Sequence, residues 1–179
     1  MSAKKPPSKR HAPQPNAAAT SSTQSAAERK ASEGDVRRLI DTFSPENLRL
    51  VVAMRRVLQE RLPTAHEVVY EYRDCFVITY SPSVRGYEGV LAIRGSQEGV
   101  RLYFNRGKEL ADPDKVLQGT GGQTRFVLVQ SATTLTRPPV ADFIEEAIAA
   151  NRVPFATSGV GSVVIRAAGA KKGRRRGSA

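Results

Sequence analysis

The sequence predicts an α+β fold, an antiparallel sheet covered by helices with disordered basic tails at both ends, on three observations. Apolar residues recur at helical spacing early in the middle of the chain and again near residue 140. Between these stretches they are β-branched and aromatic, in short runs separated by turn residues. Large apolar residues are missing from the ends: residues 1–34 hold no Leu, Ile, Val, Phe or Tyr, and the last fourteen hold nothing apolar larger than Ala.

The elements follow in chain order. Order is expected from Asp35, where Val36, Leu39, Ile40 and Phe43 fall on one helical face. Ser44-Pro45-Glu46 restarts the pattern, because Ser caps, Pro fits the first helical position and acid suits the positive end of the dipole. The second helix is expected to reach Leu62, with Leu48, Val51, Val52, Leu58 and Leu62 in one stripe and Pro63 stopping it. Residues 67–81 read as strand. Residues 89–94 and 99–104 read as a hairpin around Gly95-Ser96-Gln97-Glu98, with Val100, Leu102 and Phe104 on one side of the second strand. A loop with a short helical turn at 114–117 leads to a strand at 124–130. Val140, Phe143, Ile144, Ala147 and Ile148 then form the full stripe of a helix lying on a sheet. Residues 1–34 and 166–179 are thus read as tails, 35–152 as the folded domain, and 153–165, with Val160, Val163, Val164 and Ile165, as a candidate edge strand.

Charge follows the same division. The chain of 179 residues carries a net charge of +11. Residues 1–34 hold six Lys and Arg against two acids and residues 166–179 hold six against none, so the domain between them is nearly neutral. A composition of Ala, Ser, Thr, Pro and Lys cannot bury enough apolar surface to offset the entropy of ordering it, hence the expectation of disorder. The single cysteine, Cys75, excludes an internal disulfide and any Cys-pair zinc site, and two histidines leave little for metal binding. The longest apolar run is residues 50–54, so neither a membrane span nor a membrane partner is expected, and the location expected is cytoplasmic.

Several motifs occur together: Phe43-Ser44-Pro45-Glu46, Met54-Arg55-Arg56, and Leu102-Tyr103-Phe104-Asn105-Arg106-Gly107-Lys108-Glu109-Leu110. Asp112-Pro113, Leu117, Gly119-Thr120-Gly121, Arg125-Phe126-Val127 and Ile144-Glu145-Glu146-Ala147 follow. In this combination, over residues 37–151, the chain resembles the YdhG-like family, a domain of unknown function family. The resemblance implies a sheet-and-helix domain comparable to frataxin, and by that comparison an iron-chaperone role. The family commonly places a Lys after its Gly-Thr-Gly run, where this chain has Gly122. Hard cations also need clustered carboxylates, and the early helices instead interleave Asp35, Asp41, Glu46 and Glu60 with arginines. No metal or cofactor is expected.

Gly119-Thr120-Gly121-Gly122-Gln123, with Arg106, Lys108 and Arg125 near in sequence, forms the candidate ligand site. Backbone amides there could cradle an anion, or the glycines could simply supply a turn. It lacks the Gly-Lys-Ser/Thr of a Walker loop. Cys75 reads as a buried inert thiol and His66 as a surface or helix-end residue; Glu67 and Glu71 share a face that solvation explains. No catalytic set assembles. Lys171, Lys172, Arg174, Arg175 and Arg176 form a polycation suited to phosphate backbones without reading sequence. The expectation is a non-catalytic module for a small ligand or protein partner, with a nucleic-acid accessory role through the tails as the alternative.

Overall fold

The computed structural model describes residues 24–167. Helix α1, Ala26–Phe43, opens on a capping box in which Ser25 and Glu28 satisfy each other's free amides. A 3-10 turn, Pro45–Asn47, leads into α2, Leu48–Arg61. Strands β1, His66–Glu71, and β2, Cys75–Ser81, form a hairpin, so the expected run of strand from 67 to 81 folds back on itself at residues 72–74. Strands β3, Leu91–Ser96, and β4, Gly99–Phe104, form the expected second hairpin, but Gly95 and Ser96 pair with Val100 and Gly99, so β3 runs from 91 to 96 and the turn is 97–98 alone. Strand β5, Arg125–Val129, helix α3, Val140–Ala149, and strand β6, Val163–Ala167, complete the chain.

Among the described residues the six strands form one sheet in the order β5-β4-β3-β2-β1-β6. Every pairing is antiparallel except that of β6 with β1. Alternation assigns the two faces. Val69, Phe76, Ile78, Leu91, Ile93, Leu102, Phe104 and Val127 point to one side and meet Ile40, Met54, Leu58, Phe143 and Ile144 of the helices in a single core. The other side carries Arg94, Arg101, Tyr103, Phe126 and Leu128. No helix among the described residues is long and apolar enough to cross a membrane.

Four expectations are corrected. Order begins well before Asp35, because α1 is anchored by polar contacts that apolar counting does not register. Gln24 bonds the backbone N–H and C=O of Val163 at 3.0 and 3.1 Å, and the Arg29 guanidinium donates to the Gly161 carbonyl at 2.6 Å. The helical turn at 114–117 is replaced by a tight loop in which the Asp112 carboxylate accepts from the amides of Val116 and Leu117 at 2.9 and 2.8 Å. Val52 is exposed, and its expected place in the buried stripe of α2 is taken by Arg55. The candidate edge strand is present, but starts at Val163 and runs two residues past the expected boundary at 165.

Candidate functional site

The segment after β4 builds a groove at one end of the sheet. Asn105 leaves the strand by donating its backbone amide to the Val90 carbonyl at 3.0 Å and its side-chain amide to the Gly89 carbonyl at 2.6 Å. A 3-10 turn, Gly107–Glu109, follows. Position 107 requires glycine: a Cβ there would lie 2.5 Å from the Arg125 Cβ and 2.9 Å from its backbone nitrogen, so the turn presses directly onto the start of β5. The Lys108 amide then donates to the Gln123 carbonyl at 2.9 Å, which pins the end of the Gly loop to the turn.

Arg106 joins this turn to α3. Its Nε donates to Glu109 at 3.0 Å, a second pairing runs from Nη2 to the same carboxylate, and Nη1 donates to the Ala150 carbonyl at 3.2 Å. The last contact places a cation where the helix dipole is negative. From the other side Glu146 accepts the Ala111 amide at 3.2 Å. A pit of about 30 Å³, with Val90, Leu110 and Ala147 among its walls, lies between these contacts. The pit shares Gly89, Asn105, Arg106, Glu109 and Asn151 with a broader groove of about 520 Å³, whose remaining walls include Tyr87, Gln123 and Arg152.

The groove is polar and balanced in charge: Arg106 and Arg152 face Glu88 and Glu109. Both carboxylates are engaged, Glu109 by Arg106 and Glu88 by Ser83 and, at 3.9 Å, Arg85. The Asn105 and Asn151 side chains each donate one N–H to a carbonyl, of Gly89 and Val153, at 2.6 Å, so what the groove offers a ligand is their amide oxygens and second N–H groups, the Gln123 amide, an exposed phenol at Tyr87, and a small apolar floor.

Of the sequence-predicted site, Arg106 and Gln123 reach this groove and the others do not. Gly119, Thr120, Gly121 and Gly122 are exposed. Gly119 takes φ +112°, a conformation that favours glycine, and stands against the Phe126 ring. Arg125 donates through Nη1 to the carbonyls of Gly121 and Thr124 at 2.7 and 2.8 Å, so its charge is directed at loop carbonyls. The Lys108 side chain is exposed. Lys171, Lys172, Arg174, Arg175 and Arg176 lie outside the described residues. Compared with protein-family models, with curated proteins and with solved structures, the chain finds no match.

A second polar cluster lies inside the fold. Arg55, 6% exposed, pairs through its guanidinium with Glu67, itself 3% exposed, and with Glu33 at 2.9 and 3.1 Å. Gln59 donates to the same Glu67 carboxylate at 3.2 Å. Burial pushes the Arg55 pKa down, but the hydrogen bond and charge of Glu67, with Glu33 adding to them, carry it above its ordinary value. Tyr80, the cross-strand partner of Glu67, is fully buried and its hydroxyl has no hydrogen-bond partner among the described residues. Burial first, and the nearby carboxylate second, hold that phenol well above its usual pKa.

Two sequence expectations change here. Glu67 is not on a solvated face. His66 is neither at the surface nor at a helix end: it is 8% exposed in β1, and its Nδ1 accepts the Ser162 amide at 3.1 Å, which joins β1 to the lead-in of β6. Cys75 is buried, as expected. Among the described residues no three His, Cys, Asp or Glu side chains come together as a metal site.

Proposed function

We propose that this protein is a non-catalytic binding module of the YdhG-like kind, and that its ligand is a small polar molecule or short peptide segment held in the groove between the β4 exit and the end of α3. One observation carries the reading: an apolar pit of methyl-group size opens into a charge-balanced groove bordered by three side-chain amides. Amides supply both donors and acceptors, which complements peptide-like groups, while the pit takes a small alkyl substituent. The residues that carry the family resemblance most densely, 102–110, form β4 and the turn on which the groove is built.

The test is a ¹⁵N NMR titration of the full chain with acetylated alanine and valine peptide amides. Shifts should centre on the side-chain amides of Asn105, Gln123 and Asn151. Ala150→Leu, which fills the pit from an exposed position, should weaken binding about tenfold or more while leaving the melting temperature within about 2 °C. Shifts scattered over the surface, or an Ala150→Leu variant that binds as well as the parent, would refute the groove as the site.

A further inference from the structure

The helices occupy one face of the sheet, and the other face carries an ordered row of side chains. Strand register sets Arg166, Tyr70, Val77, Arg94, Arg101 and Leu128 side by side across all six strands, from the β6 edge to the β5 edge. Five inter-strand steps make the row about 24 Å long. The loop of residues 82–90 covers its β6 end, with Gly86 against the Tyr70 hydroxyl and Arg166 donating to the Val84 carbonyl at 2.7 Å. Over β4 and β5 the face is open: Leu128 is 49% exposed, and Arg101, Tyr103 and Phe126 are each partly exposed.

Aromatic rings and guanidinium groups are interleaved there. Tyr103 and Phe126 are cross-strand partners with centroids 5.2 Å apart, and the Arg101 guanidinium sits 5.0 Å from the Phe126 centroid. Arg94 and Arg101 are themselves cross-strand partners, an arrangement of like charges that costs stability unless an anion relieves it. Within the fold that anion is Glu98, 3.3 Å from Arg101 and 3.9 Å from Arg94, on an exposed turn. Beyond Arg166 the chain continues within five residues into Lys171, Lys172, Arg174, Arg175 and Arg176, so the basic segment is joined to the edge where the row ends.

We propose that this open sheet face binds single-stranded nucleic acid, with bases stacked on Tyr103 and Phe126 and phosphates taken by Arg94 and Arg101 in place of Glu98. Stacking on aromatic side chains needs unpaired bases, and a row of arginines across the strands follows a sugar–phosphate backbone laid across the sheet. The basic segment after β6 supplies further phosphate contacts that do not distinguish single strands from duplex.

The experiment uses fluorescence anisotropy of the full chain with a fluorescein-labelled fifteen-residue oligothymidine and a labelled duplex of equal length. The single strand should bind more tightly than the duplex. Phe126→Leu keeps an apolar side chain on the strand but removes the ring, and should weaken oligothymidine binding about 5- to 100-fold with duplex binding unchanged. Glu98→Gln frees both arginines and should tighten oligothymidine binding severalfold. Because Glu98 is exposed, this variant decides the matter even if Phe126→Leu fails to fold. Phe126→Leu without loss on either probe would assign binding to the basic segment alone, equal loss on both would rule out stacking of unpaired bases, and unchanged affinity in Glu98→Gln would likewise overturn the proposal. So would self-association in sedimentation velocity that Phe126→Leu abolishes, since a second copy would then occupy the face.

Discussion

Arg55 stands at a position where spacing calls for an apolar side chain, four residues after Val51 and three before Leu58, and the fold accommodates it with two carboxylates. Removing one member of such a cluster leaves a buried charge unpaired, whereas replacing both partners with apolar residues can be neutral. Glu67→Ala should therefore cost about 3 kcal/mol or more in urea unfolding, and the double variant Arg55→Met, Glu67→Leu should recover most of that loss. His66 makes a pH-dependent contribution of definite sign. Burial holds the folded-state imidazole below its unfolded value, and its neutral Nδ1 accepts the Ser162 amide. The stabilisation is complete above the unfolded pKa of about 6.5 and is lost as pH falls below it, where the unfolded chain takes up a proton that the folded chain refuses. Melting temperatures should decline between about pH 7 and 5.5, and the decline should flatten in His66→Asn, which keeps an acceptor but does not titrate.

At the scale of elements, the beginning of α1 and the strand β6 depend on each other. Gln24 pairs with Val163, Arg29 with Gly161 and Glu33 with Arg55, so the first turns of the helix brace the edge of the sheet. Ser25→Ala removes the capping box and should lower stability by about 1 kcal/mol. Hydrogen exchange should localise the effect, with the amides of Val163 and Ile165 exchanging faster than those of β2 and β3. The strands from β2 to β5 and helix α3 could be read in the sequence because their cores are built from β-branched alternation and a complete apolar stripe. The start of α1 could not, since its partners are polar and remote: Gln24 and Val163 are 139 positions apart. The groove was legible only at Arg106 and Gln123. Its other walls come from residues 87–90, 105–110 and 147–153, which no local pattern links and only the topology assembles.

For the molecule as a whole, the parallel pairing of β6 with β1 is the most distant in sequence, matching Glu67 with Val163. Loop-closure entropy must be met before such a contact rewards it, so β6 should join the sheet after the β1–β5 meander has formed. Val163, 2% exposed, reports on this step. Val163→Ala should raise the unfolding rate severalfold and leave the folding rate nearly unchanged in stopped-flow chevron analysis. An equal effect on the two rates would instead place β6 in the folding nucleus.

The bracing of β6 by Gln24 also fixes where the rest of the chain is attached. Residue 24 sits beside Val163 and residue 167 ends the same strand about 13 Å away, four residues at about 3.3 Å each. Nine basic residues and no acidic one lie before residue 24 and after residue 167, against nineteen basic and seventeen acidic in between. The chain is thus a nearly neutral body whose excess charge belongs to the segments attached at residues 24 and 167, both on the β6 flank. The polar groove, where Arg106 and Arg152 are balanced by Glu88 and Glu109, takes no part in that imbalance, so salt that screens the excess charge should leave a ligand in the groove nearly unaffected.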